Sequence, residues 1–402
     1  MKKNRLSILL LVPILLTGCG KAKHSNPVKK VDYLYEISFD KYDWKTAKKS
    51  LLKLPEGNLD GFGCSSARYG NYYGRSFDFT FNHMSEFVVR STAGKYKNIG
   101  IAIANTETTP EMVENGLSKH QYNVLPYSVV DGINEMGVVC NANVVPVCDL
   151  VTAGGKRTEG TNPGKEDYFY QFLCRYILDN ASSALEAVNM IQQNINVTNK
   201  INGNICDYYT LNKGGFELHY MIADKDNTYI VEFVNNEIKV LQNNSVKGAT
   251  AMTNYYLSID PTLNACGLER RQILLDNLTE ATSVEGMAHL MERVRYTNSV
   301  REKDNPWWTD IKNHDETIDH IKAMKENYPA DFSNILDAGL GLINENKRNG
   351  ETKTITTSIP GAESYQVTAP WISTHMSVYD IENKTLRLVT QEQYQRVMNY
   401  EL

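Results

Sequence analysis

Apolar positions recur along this chain at two spacings, every second residue and every three to four, and the exchange between them predicts its elements. Residues 31–54, "VDYLYEISFDKYDWKTAKKSLLKL", begin with strand-like alternation and continue as a lysine-rich amphipathic stretch. Beyond Cys64, short strand signals dominate: "EFVVRS" at 86–91, "NIGIAIA" at 98–104, and two runs flanking the turn "NEMG" at 134–137. These predict antiparallel hairpins. In "KEDYFYQFLCRYILDN", residues 165–180, the pairs Tyr168/Phe169, Phe172/Leu173 and Tyr176/Ile177 return every four residues, which puts one apolar stripe on a helix. A second helix opens with Ser183 and Glu186 at capping-box spacing and runs through "ALEAVNMIQQNI". Strands return over 216–241, with tight turns at 224–227 and 235–237. Two more helical patterns occupy 267–278 and 283–295, the latter with Thr282 and Glu285 spaced as a capping box, and a hairpin at 377–389 closes the pattern. Blocks of strands alternating with blocks of helices predict an α+β fold with antiparallel sheets, and disfavour repeated βαβ units.

The first residues read differently. Lys2, Lys3 and Arg5 precede an apolar run from Leu6 to Leu16 and small residues at Thr17 and Gly18, the pattern of a signal peptide over residues 1–18. That run is shorter than the roughly 20 residues a spanning helix needs. Leu16-Thr17-Gly18-Cys19 resembles a bacterial lipobox, so Cys19 is expected to carry lipid and to hold the protein on the extracytoplasmic face of the cell membrane. The polar run over 19–30 is expected to serve as a flexible tether.

Composition narrows the classes. With 402 residues, 42% of them hydrophobic, the chain can bury one large core or two smaller ones. A net charge of −5 and no lysine/arginine stripe interleaved with aromatics give nucleic-acid binding no support. Cysteines fall at 19, 64, 140, 148, 174, 206 and 266, with no Cys-x-x-Cys pair at zinc spacing. If Cys19 is acylated and Cys64 is chemically active, the number left over is odd, which argues against a fully paired disulfide framework although export permits a bridge.

Cys64 lies in "GFGCSSARYGNYYGRSFDF", residues 61–79. Its flanks do not match the papain-like cysteine pattern, and a serine elbow would need glycine where Ala67 stands. The stretch does resemble the N-terminal-nucleophile (Ntn) hydrolases of the choloylglycine hydrolase, penicillin V acylase and acid ceramidase-like group. It is similar to their Cys-Ser/Thr start followed by Gly-Arg-x-x-Asp, carried here by Gly74, Arg75 and Asp78. "DGINEMGVVCNANVVP" at 131–146 resembles their Asn-Glu-x-Gly hairpin, with Asn143 downstream. "LHYMIADKDNTYIVEF" is similar to their strand-turn-strand segment. "AMTNYYL" resembles their Thr-Asn element at Thr253 and Asn254, "GLERRQIL" their helix-borne arginine at Arg270, and "SVYDIENKTLRL" their closing hairpin. The matches run in family order over residues 61–390.

The resemblance implies a four-layer αββα sandwich of two antiparallel sheets, and a catalytic domain over 64–402 that is preceded by a propeptide or small subunit at 31–63. It implies cleavage before Cys64, which frees an α-amine on the residue that carries the thiol. Such an amine titrates near pH 8 and can act as general base for its own sulfur. Asp78 would then orient that amine, Arg75 and Arg270 would favour the thiolate, and Asn143 and Asn254 would donate to the developing oxyanion. Asn141 competes with Asn143 on the same strand face, and Arg271 with Arg270. His219 is expected to pack or hydrogen-bond within its strand. The implied activity is hydrolysis of a linear, non-peptide C–N amide bond in a small N-acyl compound, with no metal or organic cofactor and with oligomerisation left open. An acyltransferase using the same cysteine, or a non-enzymatic ligand-binding lipoprotein, are the alternatives.

Overall fold

Two sheets dominate a computed structural model that describes residues 22–31, 33–54, 62–79, 85–104, 108–145, 160–201, 204–205, 218–234, 237–259, 267–295, 352–356, 364–368, 372–390 and 396–402. In the larger sheet, the strands Leu34–Lys41, Glu86–Ser91, Asn98–Ile103, Val129–Asn134, Val139–Val144, Leu218–Ala223, Thr228–Val234 and Glu237–Asn243 lie side by side in that order. The smaller sheet runs Thr250–Met252, Phe62–Tyr69, Tyr72–Phe79, Ile372–Asp380, Thr385–Thr390 and Met398–Glu401. The turns between hairpin strands follow from side-chain chemistry. Asn134 Oδ1 accepts from the N–H groups of Met136 and Val138, and Asp224 Oδ1 from those of Asp226 and Asn227.

Because neighbouring side chains on a strand face opposite ways, each sheet buries both faces. Val88, Ile99, Ile101, Ile133 and Val139 from the larger sheet meet Tyr73, Tyr379, Leu386 and Leu388 from the smaller one in a shared core. On the outer face of the larger sheet, Cys140, Ala142 and Ile222 pack with Leu173, Ile177, Leu178 and Val188 of the helices Leu173–Asn180 and Ala184–Gln193. The smaller sheet's outer face, with Ala67, Met376 and Val378, is covered by Leu274, Met287, Leu290 and Met291 of the helices Leu268–Asn277 and Val284–Glu292. The order is therefore helix, sheet, sheet, helix, as expected. Gly74 is required by this packing, since a Cβ there would fall 2.6 Å from Met291 Cγ and 2.8 Å from Met287 Cγ.

Several details differ from the sequence reading. Not every junction is antiparallel: Leu34–Lys41 pairs in parallel with Glu86–Ser91. The helix expected over 165–180 begins only at Leu173. Residues Glu166–Phe169 form a strand parallel to Ile195–Thr198 instead. The aromatic run favours extended backbone, and Tyr168 stacks on Trp44 with ring centroids 4.5 Å apart. At the second helix Ser183 accepts from Glu186 N as a cap, but the Glu186 carboxylate returns to Ser182 and not to Ser183. The cap of Val284–Glu292 is Ser283, one residue later than expected, accepting from Gly286 N.

The amino-terminal portion is built into the larger sheet. Tyr35, Ile37 and Phe39 enter the outer core, with Ala47 and Leu51 of the helix Trp44–Leu51, while Leu34 enters the core between the sheets. Part of the stretch expected to be a free tether is paired too. Lys23–His24 and Val28–Val31 lie antiparallel to Leu34–Lys41, and His24 stacks on Tyr122 with centroids 3.9 Å apart. The lipobox, including Cys19, lies outside the described residues.

Candidate active site

The strand Phe62–Tyr69 carries Cys64 between two neighbours, Thr250–Met252 on one side and Tyr72–Phe79 on the other. Pairing with the latter sets Gly63 opposite Asp78 and Ser66 opposite Arg75. Cys64 is completely buried, and each of three of its atoms meets a different side chain. Arg75 Nη2 stands 3.6 Å from its Sγ. Asn254 Oδ1 accepts from its backbone N at 2.9 Å. Arg270 Nη1 donates to its carbonyl O at 2.8 Å.

Burial pushes the Cys64 thiol up from its ordinary value; Arg75 opposes this, as do the Asp78 backbone N–H and Arg270, while the Asp78 carboxylate adds to it. Arg75 is anchored by one oxygen at each terminal nitrogen: Nη1 donates to Asp131 Oδ2 at 2.5 Å and Nη2 to Ala142 O at 2.6 Å. Burial works against its charge, but Asp131 and then Cys64 more than offset that, and the guanidinium is held above its ordinary range.

Arg270 sits among acceptors that are mostly neutral: Cys64 O, Ser65 Oγ at 2.7 Å and Asn254 Oδ1 at 2.6 Å, with Asp78 Oδ2 at 3.9 Å. Its helix is placed by Gly267, whose left-handed φ of +95° and lack of a side chain let Thr253 Oγ1 donate to Gly267 O at 2.8 Å. A Cβ at that glycine would fall 2.5 Å from the same hydroxyl oxygen. Arg271, the rival, donates from Nε to Ala251 O. One residue along a helix turns the side chain by about 100°, so the two arginines cannot share a target.

Asp78 Oδ1 accepts from Ser76 Oγ at 2.6 Å and from Ser373 Oγ. Its Oδ2 accepts no hydrogen bond among the described residues. Burial raises this carboxyl to about 6, with Arg270, Ser373 and Ser76 pulling it partly back. Asp78 stands opposite Gly63 in the strand register, one residue from Cys64, with a carboxylate oxygen that could accept N–H bonds.

The two asparagines are placed differently around Cys64. Asn254 Oδ1 receives Cys64 N and Arg270, which fixes the amide orientation, and its Nδ2 donates to Val144 O at 2.7 Å. Asn254 therefore orients the Cys64 nitrogen, and one of its two N–H donors is committed to Val144 O. Asn143 Nδ2 donates to Met252 O and Thr253 O, and its Oδ1 accepts from Ser66 Oγ and Asn141 Nδ2. It braces the turn that presents Asn254. Asn141 donates to Ser66 Oγ as well and accepts from Tyr73 OH. His219 is buried, with Nε2 2.7 Å from Thr253 O and Nδ1 3.3 Å from Glu232 Oε1, and it props the same turn. Ser65 and Ser373, which sequence reading did not single out, complete the setting. Ser65 was visible beside Cys64, whereas nothing local distinguishes Ser373.

The chain matches the model of the linear amide C–N hydrolases, choloylglycine hydrolase family, over residues 63–274, and belongs to that family. The matched span takes in Cys64, Arg75, Asp78, Asn143, Asn254 and Arg270. Among solved structures it is similar to a variant of conjugated bile acid hydrolase from Clostridium perfringens, at 14% identity and a TM-score of 0.41, covering 85% of this chain and 92% of that one. It is also similar to penicillin V acylase from Agrobacterium tumefaciens, at 14% identity and a TM-score of 0.37, covering 84% of this chain and 86% of that one. No curated protein sequence matches it.

Proposed function

We propose that this amide hydrolase works through Cys64 as an N-terminal nucleophile, on small linear N-acyl amides. The observation that carries this reading is the convergence on one residue: Arg75 at its sulfur, Asn254 at its nitrogen, Arg270 at its carbonyl oxygen. A buried structural cysteine gives no reason for two arginines to meet there. Cleavage of the Gly63–Cys64 bond frees the α-amine. Asn254 Oδ1 and Asp78 Oδ2 hold that nitrogen, and it takes the thiol proton as the sulfur attacks the amide carbonyl. The C–N bond breaks, the amine departs with that proton, and the acyl group is left as a thioester on Cys64. Water, deprotonated by the same nitrogen, then releases the acid and restores the thiol.

The chain before Cys64 stays with the enzyme as a small subunit in this reading, and lipid on Cys19 anchors both pieces to the membrane. Support comes from the strand Leu34–Lys41, whose buried side chains complete two cores. Loss of such a segment would expose several large apolar side chains, each worth about 1.5–3 kcal/mol when buried.

The test joins intact mass and N-terminal sequencing of the purified protein to a panel of N-acyl amides with Cys64→Ala as control. The expected result is a mature chain that begins at Cys64 and turnover that vanishes in the variant. Active protein with residues 63 and 64 still joined overturns the mechanism. Cell fractionation with antibodies to both pieces tests retention: release of the catalytic piece while residues 31–54 stay with membranes overturns it.

A further inference from the structure

Behind Arg75, on the side away from the sulfur, lies a second buried group of charges. His375, from the strand Ile372–Asp380, stands between two carboxylates, with Nδ1 2.7 Å from Glu86 Oε1 and Nε2 2.8 Å from Asp131 Oδ2. A neutral imidazole has one N–H, so donating to a carboxylate from both nitrogens requires the cation. Thr374 Oγ1 donates to Glu86 Oε1 at 2.9 Å, and Ser377 Oγ and Tyr379 OH donate to Asp131 Oδ1. The Phe77 ring lies against His375 at 5.0 Å and also under the Arg75 guanidinium at 4.6 Å. All of these residues are buried. The groups facing His375 are thus Glu86 from one strand, Asp131 from a second, Phe77 with Arg75 beyond it from a third, and Thr374 and Tyr379 of its own.

Burial alone would lower the His375 imidazole, but Glu86 and Asp131 outweigh it and raise the group to about 9. Asp131 would rise on burial, yet His375 and Arg75 hold it well below the usual carboxylate range. Charges then alternate from Glu86 through His375 and Asp131 to Arg75, two negative and two positive. Were His375 neutral, two carboxylates would face one guanidinium, and its field at the sulfur would be largely cancelled.

We propose that His375 is a positioning residue: by balancing Glu86 and Asp131 it leaves the charge of Arg75 available to the Cys64 sulfur. The inference rests on Cys64 being the nucleophile. It extends the site to a residue more than 100 positions beyond the family match and more than 300 beyond the cysteine.

The experiment measures the pH dependence of Cys64 alkylation by iodoacetamide, followed on the Cys64 peptide by mass, together with kcat and KM for an N-acyl amide. His375→Gln removes a positive charge and is expected to move the alkylation midpoint up by about one pH unit and to lower kcat about tenfold, with KM within about twofold. Asp131→Asn removes a negative charge and is expected to move the midpoint down, while the double variant returns toward the parent. A role confined to holding the fold would shift both single variants the same way or neither. Midpoints that do so overturn the charge-balancing role of His375, and if His375→Gln fails to fold, an unmoved or raised midpoint in Asp131→Asn does the same. Absence of Cys64 labelling in active parent protein overturns the nucleophile reading itself.

Discussion

The two arginines at Cys64 are held by opposite means. Arg75 is tied to Asp131 and, through it, to His375 and Glu86, a buried set of full charges. Arg270 is held chiefly by a carbonyl, a hydroxyl and an amide oxygen. Full charges fix a potential at the sulfur, while neutral acceptors fix the position of the backbone around it. The site therefore divides tuning from placement, and substitutions should separate the two.

The largest effect belongs to the residue both arginines serve. Cys64→Ala should leave a folded protein whose amide turnover is lower by about 10⁴-fold or more, as single-turnover and steady-state assays would show. Arg75→Met should come next. It removes the positive field and leaves the buried set of Glu86, His375 and Asp131 one positive charge short, so kcat should fall by about 10³-fold and stability by about 3–5 kcal/mol in denaturant titrations. Arg270→Gln should cost about 10²-fold in kcat but less stability than Arg75→Met, because its carboxylate partner Asp78 stands 3.9 Å away and keeps the Ser76 and Ser373 hydroxyls. Equal losses of stability in the two variants would break the comparison.

A smaller effect concerns pH. Asp78 in the folded, uncleaved chain is raised to about 6 by burial, from an ordinary value near 3.8. Between those values the folded chain binds more protons than the unfolded one, so stability falls as pH rises through that window. In the Cys64→Ala background, changing Asp78→Asn should remove a decline on the order of 3 kcal/mol between pH 4 and 7, measured as the pH dependence of unfolding. A parent curve that rises through this window would contradict the assignment.

Sequence patterning disclosed most of the layering, because short β-rich runs and helices with one apolar stripe occupy separate blocks of the chain. Where it misled, local signal was overridden by contacts made far away. Residues 166–169 have helical spacing but take the extended form beside Ile195–Thr198. Cys64, Arg75, Asp78 and Arg270 were legible because they sit in short, ordered motifs. The asparagines were found, but which end of an amide faces the nucleophile depends on Arg270 and Val144, neither adjacent to Asn254 in the chain. Asp131 lay in a quoted motif without a role, and Glu86 lay in an ordinary strand. His375 gains its meaning only when three strands set it between two carboxylates.

The strand Leu34–Lys41 would impose an order on the proposed maturation. It is joined to the later strands of its sheet through Glu86–Ser91, which follows Cys64, so under the proposed mechanism assembly would precede scission and the cut would be made in a finished body. A protein whose translation began at Cys64 would present Glu86–Ser91 as an open sheet edge and would tend to self-associate.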